Sequence, residues 1–184
     1  MMTRSGLPSR LRLSQRLLLR LANAIDVARR AYLMSQIGLH GKNIVLRPNI
    51  TITHPERLLL GSNIMINHGS MIFASGRVTM GSDVVIGPGS MILTGNHVGE
   101  IFYGNTETQP ITIGSNVWLG AGVVVTPGAS IGDNVIVAAG SVVSGQIPSN
   151  SIVGGVPARI IRELVLPFEP RHYTAATEPG EPLT

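Results

Sequence analysis

Large aliphatic residues return at every sixth position through the second half of the chain, with small and polar residues between them. The longest clean run covers residues 113–148. It reads Ile113-Gly-Ser-Asn-Val-Trp, Leu119-Gly-Ala-Gly-Val-Val, Val125-Thr-Pro-Gly-Ala-Ser, Ile131-Gly-Asp-Asn-Val-Ile, Val137-Ala-Ala-Gly-Ser-Val and Val143-Ser-Gly-Gln-Ile-Pro. A short fixed period is the signature of a solenoid. The fifth residue of each unit is small or β-branched, as at Val117, Val123, Ala129, Val135 and Ser141. It stands two before the next opening aliphatic, so both point to the same side of a strand. Small residues often follow the aliphatic, where a tight corner crowds side chains. The pattern predicts an all-β solenoid in which three short faces close a coil of eighteen residues around a narrow core.

The beat extends upstream with breaks. Leu60, Ile66 and Ile72 are in phase, and so are Met80, Ile86 and Ile92. Between Ile72 and Met80 the phase slips by two residues, which predicts a bulge or a longer corner. Ile44 and Ile50 mark a ragged first coil. The beat disappears over residues 95–110 and then returns. Residues 9–36 read as a helix, because Leu17, Leu18, Leu21, Ala24, Ile25, Ala28 and Tyr32 recur at helical spacing among Arg10, Arg12, Arg16, Arg20, Arg29 and Arg30. Such a helix either covers the open end of the solenoid or rests on anionic lipid at a membrane surface. The expected organisation is a basic amphipathic helix in residues 1–40, the solenoid in 41–164 with a loop at 95–110, and a flexible tail in 165–184.

Composition narrows the partners. Charged residues are 13% and aromatics 4% of the chain, in keeping with thin coils of short strands. The chain has no cysteine, which excludes a disulfide, a thiolate nucleophile and cysteine-bound zinc. Neither a signal-peptide core nor a membrane-spanning run is legible, so the cytoplasm is the expected location. The net charge of +4 comes with no nucleic-acid motif. His97 stands where the beat stops, so it need not serve the core. An imidazole there is chemically suited to take a proton from an acceptor.

Four segments in order carry a family resemblance: Ile66-Asn-His-Gly, Leu93-Thr-Gly-Asn-His, Gln109-Pro-Ile-Thr-Ile-Gly-Ser-Asn-Val-Trp-Leu-Gly-Ala-Gly and Gly154-Gly-Val-Pro-Ala-Arg-Ile-Ile-Arg. Over residues 44–164 the chain resembles the hexapeptide-repeat acyltransferases, in the saccharide O-acetyltransferase branch with maltose and galactoside acetyltransferases. The resemblance implies a left-handed parallel β-helix, a homotrimer with sites between neighbouring prisms, and acetyl-CoA as co-substrate without a metal. It makes His97 the general base that activates a saccharide hydroxyl. The Ala121 backbone N–H becomes the oxyanion donor. Trp118, Ala121, Ala139, Pro157, Arg159 and Arg162 are expected along coenzyme A, and Asn67, Glu100 and Tyr103 near the acceptor. Many relatives carry Lys where this chain has Gly145. Galactoside acetyltransferase has a second asparagine where this chain has Gly69, so the acceptor does not carry over.

The basic helix suggests envelope or exopolysaccharide synthesis. Alternatives are N-acetylation of an amino sugar and a non-catalytic β-helical scaffold. His40, His54, His68 and His172 receive no role. The zinc histidine pairing of the γ-class carbonic anhydrases is missing after His97. Sugar nucleotidyltransferases need a nucleotide-binding domain for which the chain has no room.

Overall fold

The computed structural model describes residues 13–98 and 105–164, with backbone alone at 97, 98, 105 and 106. The chain divides into two compact units, residues 1–35 and 36–184. The first holds nearly all of helix α1, Leu13–Gln36. Along α1 the side chains of Leu17, Leu21 and Ile25 are exposed.

The second unit is a left-handed parallel β-helix. Its first sheet stacks Leu39–His40, Leu58–Leu60, Val78–Met80, Ile111–Ile113, Ser130–Ile131 and Gln146–Ile147. The second stacks Ile44–Leu46, Ile64–Ile66, Val84–Ile86, Val117–Leu119, Val135–Val137 and Ser151–Gly155, and ends on antiparallel Ala158–Glu163. The third stacks Thr51–Thr53, Met71–Phe73, Met91–Leu93, Val124–Val125 and Val142–Val143. The right-handed crossover preference depends on strand twist. Strands of two or three residues accumulate little twist, so it has little hold here.

The beat sets the core. Ile66, Ile86, Ile92, Leu119, Val125 and Val143 are completely buried, while Trp118 between Val117 and Leu119 is 55% exposed. The corner from the first sheet to the second is built from asparagines. Asn43, Asn63, Asn116, Asn134 and Asn150, with Asp83, adopt left-handed backbone at φ of 56–61°. Asn and Asp tolerate that region better than other side-chain-bearing residues. Their amides stack coil on coil, with Asn63 Nδ2 donating to Asp83 Oδ1 at 2.9 Å and Asn134 Nδ2 to Asn150 Oδ1 at 2.9 Å.

Coil length departs from the expected eighteen residues in three places. Upstream, Leu58 pairs with Val78 and Ile64 with Val84, a step of twenty. The eighteen-residue step holds only between the two coils in which Ile113 pairs with Ile131, Val117 with Val135 and Val124 with Val142. The last step is sixteen, Val135 with Ser151, so Val143 is followed in the core by Ile147 and the final unit is cut short. All of these changes fall at the corner from the third sheet to the first. The short 3-10 helix Pro55–Arg57 and the turn at Ser75 and Gly76 take the extra residues upstream. The slip expected between Ile72 and Met80 lies here, and the ragged first coil has the same cause. The largest departure is the break at 95–110. It folds back as an antiparallel hairpin of Gly95–Val98 on Asn105–Thr108, with His97 opposite Thr106.

Candidate active site

The corner from the second sheet to the third keeps one length in every coil. In successive coils it reads Asn67-His68-Gly69, Gly87-Pro88-Gly89, Gly120-Ala121-Gly122 and Ala138-Ala139-Gly140. The first residue of each donates to the coil below: Asn67 N to Ile86 O at 3.0 Å, Gly87 N to Leu119 O at 2.8 Å, Gly120 N to Val137 O at 2.8 Å and Ala138 N to Val153 O at 2.8 Å. The third donates to the coil above, as Gly122 N does to Pro88 O at 2.9 Å and Gly140 N to Ala121 O at 2.8 Å. The middle residue is left over. The N–H groups of Ala121 and Ala139 have no partner among the described residues, and both residues are exposed. Gly122 and Gly140 have φ of 65° and 69°, with open space where a Cβ would stand. The corner is therefore a smooth, open edge with one free backbone donor per coil at two successive levels.

Asn67 lies at the same corner, two coils above Ala121. Its Nδ2 donates to Ile86 O at 2.9 Å, which fixes the amide and leaves Oδ1 for a ligand. Trp118 lies on the outer face of the second sheet, in a cross-strand row with Ile136, Ile152 and Arg162. Three strand spacings put Trp118 and Arg162 about 14 Å apart.

Arg159 and Arg162 are three residues apart, a spacing that places side chains on opposite faces of a regular strand. A register shift between Ile152 and Val153 alters this. Arg159 pairs with Gly154 and Arg162 with Ile152, partners two residues apart, so the bulge returns both arginines to the outer face. Arg159 Nη1 donates to Ala158 O at 2.9 Å. Pro157 is exposed in the turn before it. Trp118, Ala121, Ala139, Arg159 and Arg162 therefore share one side of the prism, descending from the hairpin level to the last strand.

His97 lies elsewhere within the chain. Its hairpin leaves from the third-to-first corner, whereas Ala121 stands at the second-to-third corner. Glu100 and Tyr103 fall outside the described residues. Among the described residues no group of three or more His, Cys, Asp or Glu could hold a metal ion. No described helix is long and apolar enough to cross a membrane. The free N–H of Ala139 has a signal in the sequence: it repeats the Ala-Gly step of Ala121 and Gly122 after eighteen residues.

Residues 110–145 match the bacterial transferase hexapeptide family of six repeats. The chain is 37% identical over 137 residues to the putative colanic acid biosynthesis acetyltransferase WcaF of Escherichia coli, covering 74% of this chain and 75% of that protein. It is 52% identical to Escherichia coli galactoside O-acetyltransferase over 61 residues, a match that spans only 33% of this chain and 30% of that protein. Among solved structures, a hexapeptide-repeat acetyltransferase from Vibrio cholerae complexed with acetyl coenzyme A superposes with a TM-score of 0.69. It is 31% identical and the alignment covers 76% of this chain and 78% of that one. By repeat, coil geometry and length of match, the chain belongs to the hexapeptide-repeat acetyltransferases.

Proposed function

We propose that the protein transfers an acetyl group from acetyl-CoA to a saccharide hydroxyl during envelope or exopolysaccharide synthesis. The observation that carries this reading is the pair of unpartnered N–H groups at Ala121 and Ala139 on an open glycine corner. A thioester carbonyl seated at Ala121 meets a donor fixed by the coil stack, and the pantetheine amides continue past Ala139. Arg159 and Arg162, aligned by the bulge, hold the nucleotide phosphates, with Pro157 beside the adenine. Trp118 flanks the arm.

In the reaction His97 removes the proton as the acceptor oxygen bonds to the carbonyl carbon. The oxyanion is held by the Ala121 N–H. Collapse breaks the C–S bond, and the imidazolium returns its proton to the departing thiolate. Asn67 Oδ1 orients the acceptor, together with Glu100 and Tyr103.

His97 and Ala121 stand at different corners of one prism, so a site using both is completed by a neighbour. We infer a homotrimer, which closed symmetry permits. Helix α1, with its exposed leucines and its arginines, suits peripheral contact with the inner face of a membrane.

The test is release of CoA thiol from acetyl-CoA with a panel of neutral saccharides and amino sugars. Release that depends on a hydroxyl acceptor is expected. A response to amino sugars alone would replace O- with N-acetylation, and no response to any acceptor would leave a scaffold. Light scattering that gave a monomer at micromolar concentration would remove the shared site.

A further inference from the structure

The longer upstream corners build a feature that the catalytic reading does not use. Glu56, Arg57, Leu59, Ser75, Gly76 and Arg77 line a shallow cavity of about 330 Å³. It opens at the third-to-first corner, in the two coils directly above the hairpin. Its lower wall is tied to both ends of that hairpin. Gly76 N donates to Thr94 Oγ1 at 2.7 Å, and Ile111 N donates to Arg77 O at 3.0 Å. Arg57 Nη1 donates to Ser75 O, which pins one guanidinium across the two coils.

The charges in the cavity do not cancel. Glu56 is held below the usual carboxylate range, chiefly by a backbone hydrogen bond at Glu56 itself, so it is ionised at neutral pH. Its Oε1 is shared between His54 Nδ1 at 3.2 Å and Arg57 Nε at 3.9 Å. The Arg77 guanidinium has no hydrogen-bond or ion-pair partner among the described residues, and neither does the Ser75 hydroxyl. Two guanidinium groups against one carboxylate leave a net positive charge, with a free hydroxyl and the apolar side of Leu59 beside it. Guanidinium forks recognise carboxylate and phosphate oxygens in preference to neutral hydroxyls.

Position supplies the rest. The features assigned to coenzyme A lie at the level of Ala121 and below it, down to Arg162. The acceptor must therefore approach from the coils above the hairpin, where this cavity lies. We propose that Arg57 and Arg77 form an anion-binding subsite that holds a carboxylate or phosphate of the acceptor away from the hydroxyl that is acetylated. This rests on the acetyltransferase reading for the direction of approach. The subsite selects acidic glycans or glycosyl phosphates over neutral sugars. It also accounts for two-residue extensions in the two coils that form it.

The experiment compares the wild-type full-length protein with R57Q/R77Q, using methyl glucuronide, glucose 1-phosphate and methyl glucoside as probes. Binding is read by ligand-observed NMR with CoA present. Wild type is expected to bind at least one acid about ten-fold more tightly than the neutral glucoside. In the variant that preference should vanish, with CoA affinity and unfolding temperature unchanged. The acid that loses binding shows whether the natural anion is a uronate or a phosphate. Equal binding of all three probes by wild type, or a preference that survives in the variant, would overturn the subsite. Acetyl transfer to neutral acceptors without any anion preference would sink the subsite and leave the enzyme. Arginine-dependent anion binding with no transfer to any acceptor would do the reverse.

Discussion

The two corners on either side of the third sheet are built on opposite plans. The second-to-third corner keeps one six-residue step from Ile66 to Ile72, Ile86 to Ile92, Leu119 to Val125 and Val137 to Val143. The third-to-first corner is long, long again, extended into a hairpin, regular and then short. A corner that never changes length stacks backbone on backbone, so its free N–H groups are fixed by the whole ladder. That suits a preorganised donor for charge that develops during reaction. A corner free to change length can carry side chains outside the core, where chemistry and acceptor choice reside. In the proposed reaction the invariant corner supplies the dipoles, and the variable one the base and the selectivity.

The sharpest way to break this comparison is to add the same two residues to each corner. A Gly-Ser insertion between Gly122 and Val123 would displace the pairing of Val124 with Met91 and Val142. It is expected to abolish cooperative thermal unfolding, read by circular dichroism. The same insertion after Gly145 only restores an eighteen-residue coil, and should move the midpoint by less than about 4 °C. Equal damage at both places would remove the distinction.

Replacing the side chain at the variable corner comes next. His97→Ala is expected to cost roughly 10²–10⁴-fold in turnover while assembly and CoA affinity hold, since a positioned general base contributes about that much. Wild-type turnover should rise with pH as the neutral base accumulates. Near-wild-type turnover in the variant would transfer the base role to another group.

At the invariant corner the test must remove a backbone proton. Ala121→Pro does so, and the coil above already places Pro88 in the same position between two glycines. The fold should therefore survive. The rate is expected to fall about 10²–10³-fold, the usual loss of one oxyanion donor. A folded Ala121→Pro enzyme with unchanged kcat would show that the free N–H is idle.

An effect on cofactor binding alone is expected from the bulged last strand. Arg159→Ala with Arg162→Ala should weaken CoA binding, by about 1.5–3 kcal/mol for each well-formed charged contact, and leave acceptor affinity unchanged. Calorimetry that found CoA affinity unaltered would reduce the bulge to a structural irregularity.

Much of this architecture was legible along the chain because its causes are local. Whether a side chain points inward depends on strand alternation alone, so Leu119 reads as core and Trp118 as surface without knowledge of the coil. The stacking of Ala139 under Ala121 follows from the same beat, and the slip before Met80 is visible as a broken phase. What closes a coil is not local. A sixteen-residue step differs from an eighteen-residue one only through which strands pair, and the pairing of Val135 with Ser151 is not marked in the sequence. The two arginines of the last strand share a face only because the register slips between Ile152 and Val153. Arg57 and Arg77 lie twenty residues apart and meet at one cavity only because two coils are lengthened at the same corner. The sequence by itself determined the repeat, the buried residues and the left-handed corner positions, through sterics that act over six residues or fewer. The tertiary structure alone decided that the N–H groups of Ala121 and Ala139 remain free and which distant charges converge, because both follow from how one coil stacks on the next.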